Sequence, residues 1–161
     1  MPHFLQLIFE DEEVLELHVQ VVGRHVITTG TVLDEPTIEK MLVEDEEIRC
    51  REAAWRLLSY RPRTQVELLR ALQKRKFLRS TTERIVAELV GKGFVDDAGF
   101  ARQFAEERTR KLHGPRLVEQ ELLSRGLDRE SARDAARQST GPDRQQEDAR
   151  ALFHKWNRRS K

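Results

Sequence analysis

The sequence predicts a mainly α-helical protein, built as tandem three-helix units in an elongated, curved array and preceded by a short N-terminal segment that contains a β-hairpin. Three observations predict it. Helix-start and helix-stop residues recur after residue 46, and two stretches of that region align with an offset of 50 residues. The first residues instead alternate apolar and polar side chains with β-branched content, as strands do.

Taken in order, HFLQLIF, a polar EDEE and VLELHVQVV suit a hairpin. HVQVVGRHV either continues the strand or winds one or two helical turns before Gly30, after which Thr31 to Leu33 suit another short strand. Asp34-Glu35-Pro36 marks a helix start, because proline is favoured in a first turn. A helix over about 46–60 carries Ile48, Ala54, Trp55, Leu57 and Leu58 and stops at Arg61-Pro62, since the residue before proline is pushed out of the helical region. Thr64-Gln65-Val66-Glu67 reads as a capping box that opens a second helix with Leu68, Leu69 and Leu72 inward. Ser80-Thr81-Thr82-Glu83 reads as another, opening a third helix that buries Ile85, Val86 and Leu89 and ends at Gly91 or Gly93.

The same grammar then repeats. Asp96-Asp97 caps a helix carrying Phe100, Phe104 and Ala105, Gly114-Pro115 opens one with Val118 and Leu122, and Asp128 caps one with Ala132, Ala135 and Ala136. In this register Arg61 matches Lys111, Thr64 matches Gly114, Leu68 matches Val118, Leu72 matches Leu122, Arg75 matches Arg125 and Phe77 matches Leu127. Gly141-Pro142 breaks the chain again, and Asp143 to Trp156, with Ala149, Leu152, Phe153 and Trp156 on one face, suits the opening helix of a third unit. The expected organisation is an acidic segment over 1–45 with the hairpin and a short helix, three-helix units over 46–94 and 95–140, and a partial third unit over 141–161.

Composition bounds the function. With 161 residues, 38% hydrophobic and 35% charged, the chain can bury a modest core, which argues against one large enzyme domain. No apolar run approaches the roughly 20 residues of a membrane span, and the N-terminus lacks a secretory pattern, so the cytoplasm is the expected location; a monomer is expected as well. The single cysteine, Cys50, excludes an internal disulfide and suits a buried helical position. The net charge of +1 conceals a division: residues 1–48 hold two basic against twelve acidic side chains, whereas residues 49–161 hold 27 against 16. A part at +11 is drawn to polyanions, and a part at −10 repels them or meets a basic partner.

No catalytic residue, cofactor or metal is expected. The chain has no phosphate-binding GxxxxGK[ST] loop, no HExxH and no GxSxG, and its histidines at 3, 18, 25, 113 and 154 are dispersed. Asp96 and Asp97 are adjacent carboxylates at a helix start, where capping explains them better than catalysis. His113 reads as a solvated loop side chain. The stronger signal is basic. Arg61 and Arg63 precede the second helix, and Arg70, Lys74, Arg75 and Lys76 lie on or just after its outer face; Arg108, Arg110, Lys111, Arg116 and Arg125 occupy corresponding places in the second unit. Repetition of charge at one structural location suits a phosphate backbone, which is neutralised without reading base sequence. Phe77, Phe94, Phe100 and Phe104 fall at buried spacing and read as core, not as stacking platforms for bases.

AAWRLLSYRPRTQVELLRALQKRKF, GFVDDAGFARQFAEERTRK and HGPRLVEQELLSRGL resemble, in order and spacing, the RecX family of bacterial recombinase regulators over about residues 28–138. Ala54, Arg61-Pro62-Arg63-Thr64 and Glu67-Leu68 match the family's first-unit pattern; Gly93, Asp96, Asp97, Phe100 and Ala101 match its Gly-x-x-Asp-Asp-x-x-Phe-Ala; Gly114-Pro115-Arg116 and Arg125-Gly126-Leu127 match its next helix. Lys76 departs, standing where that family's first-unit helix ends in glycine, and the family's third unit is matched here only by a first helix. The resemblance implies units that lie in the groove of a RecA filament on single-stranded DNA, touch the DNA phosphate backbone and modulate, usually inhibit, recombinase activities in recombination, repair and the SOS response. The alternative is a helix-turn-helix-like DNA-binding module acting without a recombinase, although its second helices offer few Asn or Gln side chains to read bases.

Overall fold

The computed structural model describes residues 3–140, 149–150, 153–154 and 156–157. Strands β1 (Phe4–Ile8) and β2 (Val14–His18) pair antiparallel, with Leu5 opposite Leu17 and Leu7 opposite Leu15. Helix α1 (Val19–Arg24) follows directly, its start held by the His18 ring, whose Nδ1 accepts from the Gln20 N–H. The ambiguous HVQVVGRHV is therefore helical, while Thr31 to Leu33 form no strand.

Helix α2 (Glu35–Tyr60) is capped by Asp34, which accepts from the Thr37 N–H, and runs unbroken for 26 residues. The expected separate helix over 46–60 is its second half. Nothing between Thr37 and Tyr60 is a glycine or proline, so no residue ends the first half, and the expected boundary at 45/46 falls inside one helix. Met41 in its N-terminal half and Ile48 at its middle join a core with Leu17, Val21 and Val22; beyond them Cys50, Ala53, Ala54 and Leu57 join the next core.

That second core is closed by α3 (Gln65–Gln73), with Leu68 and Leu72, and α4 (Arg79–Gly91), with Ile85, Val86 and Leu89. Thr64 caps α3 as expected, accepting from the Glu67 N–H, but Glu67 does not reach back; its carboxylate binds arginines instead. The expected box at Ser80 does not form. The helix begins earlier, Thr82 Oγ1 donates to the Leu78 carbonyl, Thr81 and Thr82 are buried, and the Leu78 N–H donates to Glu46 Oε1 of α2 at 2.6 Å. Helix α4 stops at Gly91, and Gly93 takes the left-handed conformation at φ +75°.

The second unit follows the sequence closely. Helix α5 (Asp97–Arg110) is capped by Asp96, α6 (Pro115–Ser124) opens on Gly114-Pro115, and α7 (Arg129–Gln138) is capped by Asp128. Ala101, Ala105, Val118, Leu122, Leu127, Ala132, Ala135 and Ala136 form its core. Ala149, Phe153 and Trp156 are helical, whereas Gly141-Pro142, Asp143 and Leu152 lie outside the described residues. Two aromatic expectations are corrected: Phe94 is 52% exposed and Trp55 40%, their rings meeting edge to face at 4.5 Å on the surface where the first unit ends.

Candidate nucleic-acid interface

The eleven expected basic side chains fall into two groups. Arg70, Lys74, Arg75 and Lys76 surround the end of α3, all exposed, and none has a carboxylate partner among the described residues. The turn is built by left-handed Lys76 at φ +68°, the position that Gly126 fills at φ +92° after α6. A lysine here keeps a fourth cation on the turn at the cost of roughly 1 kcal/mol of backbone strain. Arg116 at the start of α6 is likewise exposed and unpaired among the described residues.

The other six are engaged. Arg61 Nη1 lies 2.8 Å and Arg125 Nη1 2.6 Å from the Glu67 carboxylate, Arg108 pairs with Glu121 at 2.6 Å, Lys111 with Glu107 at 2.6 Å and Arg110 with Glu106 at 3.4 Å, while Arg63 Nε donates to the Leu57 carbonyl at 3.3 Å. Burial raises the Glu67 carboxyl pKa, but hydrogen bonding and charge from Arg61 and Arg125 outweigh burial and hold it below the usual range. Arg63 is lowered by burial first and then by the Arg61 charge, with a smaller contribution from Arg75, so cations crowd this turn.

Several motif residues join the two units. The extensive helix packing lies within each unit, and the joint is spanned by the close approach of Gly126 to Val66 and by polar contacts: Thr64 Oγ1 donates to the Arg125 carbonyl at 2.6 Å, the Gln65 N–H donates to Asp97 Oδ1 at 2.8 Å, and Glu67 meets Arg125. The Asp96-Asp97 pair thus divides its labour, one carboxylate capping α5 and the other holding α3. Beside the joint opens a cleft of about 350 Å³ lined by Arg61, Phe100, Phe104, Arg108, Lys111 and Arg125. Phe100 and Phe104 are nearly parallel, 5.8 Å apart, and both touch the core and the cleft, so they are half-buried and not wholly core. Arg125 lies 4.7 Å and Arg108 4.8 Å from the Phe104 ring centre. His113 is half-buried, 3.6 Å from Glu121, and not the solvated loop side chain expected.

The sequence reading missed Arg133 and Arg137. They stand one turn apart on α7 and, with Arg116, line a groove of about 410 Å³. Their i, i+4 spacing is present in the sequence, where the buried alanines of α7 are the stronger signal. Among the described residues no three His, Cys, Asp or Glu side chains could hold a metal, and no helix is long and apolar enough to cross a membrane.

Two consecutive three-helix units, carrying exposed cations that are unpaired among the described residues, define a helical repeat protein with basic surface patches. Residues 50–89 match the model of the RecX first three-helix domain, and residues 96–135 that of the RecX second three-helix domain. The chain belongs to the RecX family. It is 31% identical over 123 residues to the regulatory protein RecX of Lactobacillus delbrueckii subsp. bulgaricus, covering 75% of this chain and 45% of that one, and 30% identical over 125 residues to that of Listeria monocytogenes, covering 76% and 46%. The chain thus spans about half the length of these curated relatives. A crystal structure of regulatory protein RecX shares the fold over 99% of this chain and 79% of its own at a TM-score of 0.77 and 23% identity, and that of RecX from Lactobacillus salivarius over 73% and 77% at 0.68 and 24%.

Proposed function

We propose that this chain is a regulator that binds the RecA filament on DNA and inhibits recombinase activity by occupancy, without chemistry of its own, as a monomer in the cytoplasm. The observation that carries the reading is the set of unpaired cations at the end of α3, Arg70, Lys74, Arg75 and Lys76, on a chain whose family is regulatory. Side chains without an internal carboxylate lose no ion pair when they meet phosphate, whereas Arg61, Arg108, Arg110, Lys111 and Arg125 must first give one up. Arg116, Arg133 and Arg137 extend the surface onto the second unit.

The test is the recombinase's single-stranded-DNA-dependent ATPase, titrated with this protein at ratios too low to coat the DNA, beside binding to the same DNA alone. Inhibition at such ratios, weakened when Arg70, Lys74, Arg75 and Lys76 are all changed to Gln, is the expected result. Neutralising four phosphate contacts lowers the salt-dependence slope of single-strand binding by about 3. An unaffected ATPase despite tight binding to bare DNA overturns the filament reading and leaves a DNA-binding module.

A further inference from the structure

Glu67 occupies an unusual position for a surface carboxylate. Its side chain is only 14% exposed, yet the two guanidinium groups it binds are 39% and 28% exposed for Arg61 and Arg125, and both line the cleft between the units. The carboxylate therefore lies behind its partners, and the cations face solvent. Arg108 and Lys111 complete the rim, each with its own carboxylate, Glu121 or Glu107. Four cations against Glu67, Glu107 and Glu121 leave an excess of one positive charge around an open space of about 350 Å³.

The aromatic pair gives this cleft a fixed shape. Arg125 sits over both Phe100 and Phe104, and Arg108 over Phe104, so the flat guanidinium groups are held by ring faces as well as by carboxylates. A guanidinium positioned this way keeps N–H groups for a second, bidentate acceptor, the geometry that phosphate oxygens match. Arg61 comes from the first unit and Arg125 from the second, so one anion between them spans the joint, as Glu67 does now.

We infer that the cleft between the two units is a phosphate site, in which a phosphate group bridges Arg61 and Arg125 and competes there with Glu67, the resident counter-ion. The inference takes its ligand class from the nucleic-acid reading above but rests on other side chains, so the two can fail separately.

Glu67→Gln tests it, made with Arg70, Lys74, Arg75 and Lys76 already changed to Gln so that the exposed cluster contributes nothing. Without the carboxylate, Arg61 and Arg125 face each other uncompensated, and the thermal midpoint falls. Inorganic pyrophosphate restores it, and binds about fivefold more tightly than to the same protein with Glu67 intact, the worth of one half-exposed competing ion pair. Adding Arg61→Gln, which removes one arm of the bridge, abolishes the rescue. A short oligothymidylate run in parallel separates the sources: rescue by both ligands assigns the site to backbone phosphate, and rescue by pyrophosphate alone to a small phosphorylated ligand. A midpoint that pyrophosphate raises no more in Glu67→Gln than with Glu67 intact, or a rescue that survives Arg61→Gln, overturns the inference. An ATPase that the unsubstituted chain leaves unaffected, with the rescue intact, would strike the filament reading alone.

Discussion

Gly126 and Val66 offer the sharpest test of how the units are joined. Gly126 has φ +92°, and a Cβ added to it would lie 2.4 Å from Val66 Cβ and 2.5 Å from Cγ1, on the first turn of α3 in the other unit. Gly126→Ala therefore has two costs: about 1 kcal/mol for an L side chain at positive φ, and about 1–3 kcal/mol for the overlap, because Val66 presents its branch point and not a flexible tip. The sum, about 2–4 kcal/mol, lowers the thermal midpoint of a chain this size by about 5–15 °C. Circular dichroism at 222 nm (a helix-sensitive wavelength) follows it. In a Val66→Gly background the overlap is gone, and the same substitution costs only the backbone part, about 1 kcal/mol. Equal losses in both backgrounds would refute the contact, and no loss in either would refute the packing of the two units as described.

Two further outcomes follow from the ion pairs and turns. Lys76→Gly relieves the residue at φ +68° and raises stability by about 1 kcal/mol in thermal or urea melts, while weakening DNA binding through the lost cation. The folded Glu67 pKa lies below its ordinary 4.5, so its contribution is present above that value and is lost as pH falls through the lower folded value. Glu67→Gln therefore flattens the acid side of the stability–pH curve below about 4.5, and an unchanged acid limb would show that the arginines do not hold the carboxylate.

Most helix boundaries were legible because they are local. Asp34, Thr64, Asp96 and Asp128 each cap a helix through an oxygen set three residues before the N–H it accepts from, a relation written in consecutive residues. Thr82 shows where this fails. It lies inside a Ser80–Glu83 spacing that suits a capping box, but Glu46, more than thirty residues away, receives the Leu78 N–H, and the Thr82 hydroxyl donates back to the Leu78 carbonyl. The basic residues failed in the same way. Arg61 and Arg70 look equivalent in the sequence; the first meets Glu67 and the second meets no carboxylate among the described residues. Arg125, matched to Arg75 by the repeat, is claimed by a glutamate from the other unit, which no reading of one repeat at a time reveals. Spacing locates a charge on a helix, and only tertiary contacts decide whether it is available.

The unbroken α2 makes the acidic segment a fixed arm and not a swinging tail. A helix of 26 residues is about 39 Å long, and packing at both ends resists bending. Part of its negative charge is already committed to the first unit, through Glu47 with Arg84 and Glu46 with the Leu78 N–H. The hairpin is therefore carried at a set distance from the basic turn after α3, like the far end of a ruler, and whatever the cations grip determines where the hairpin projects.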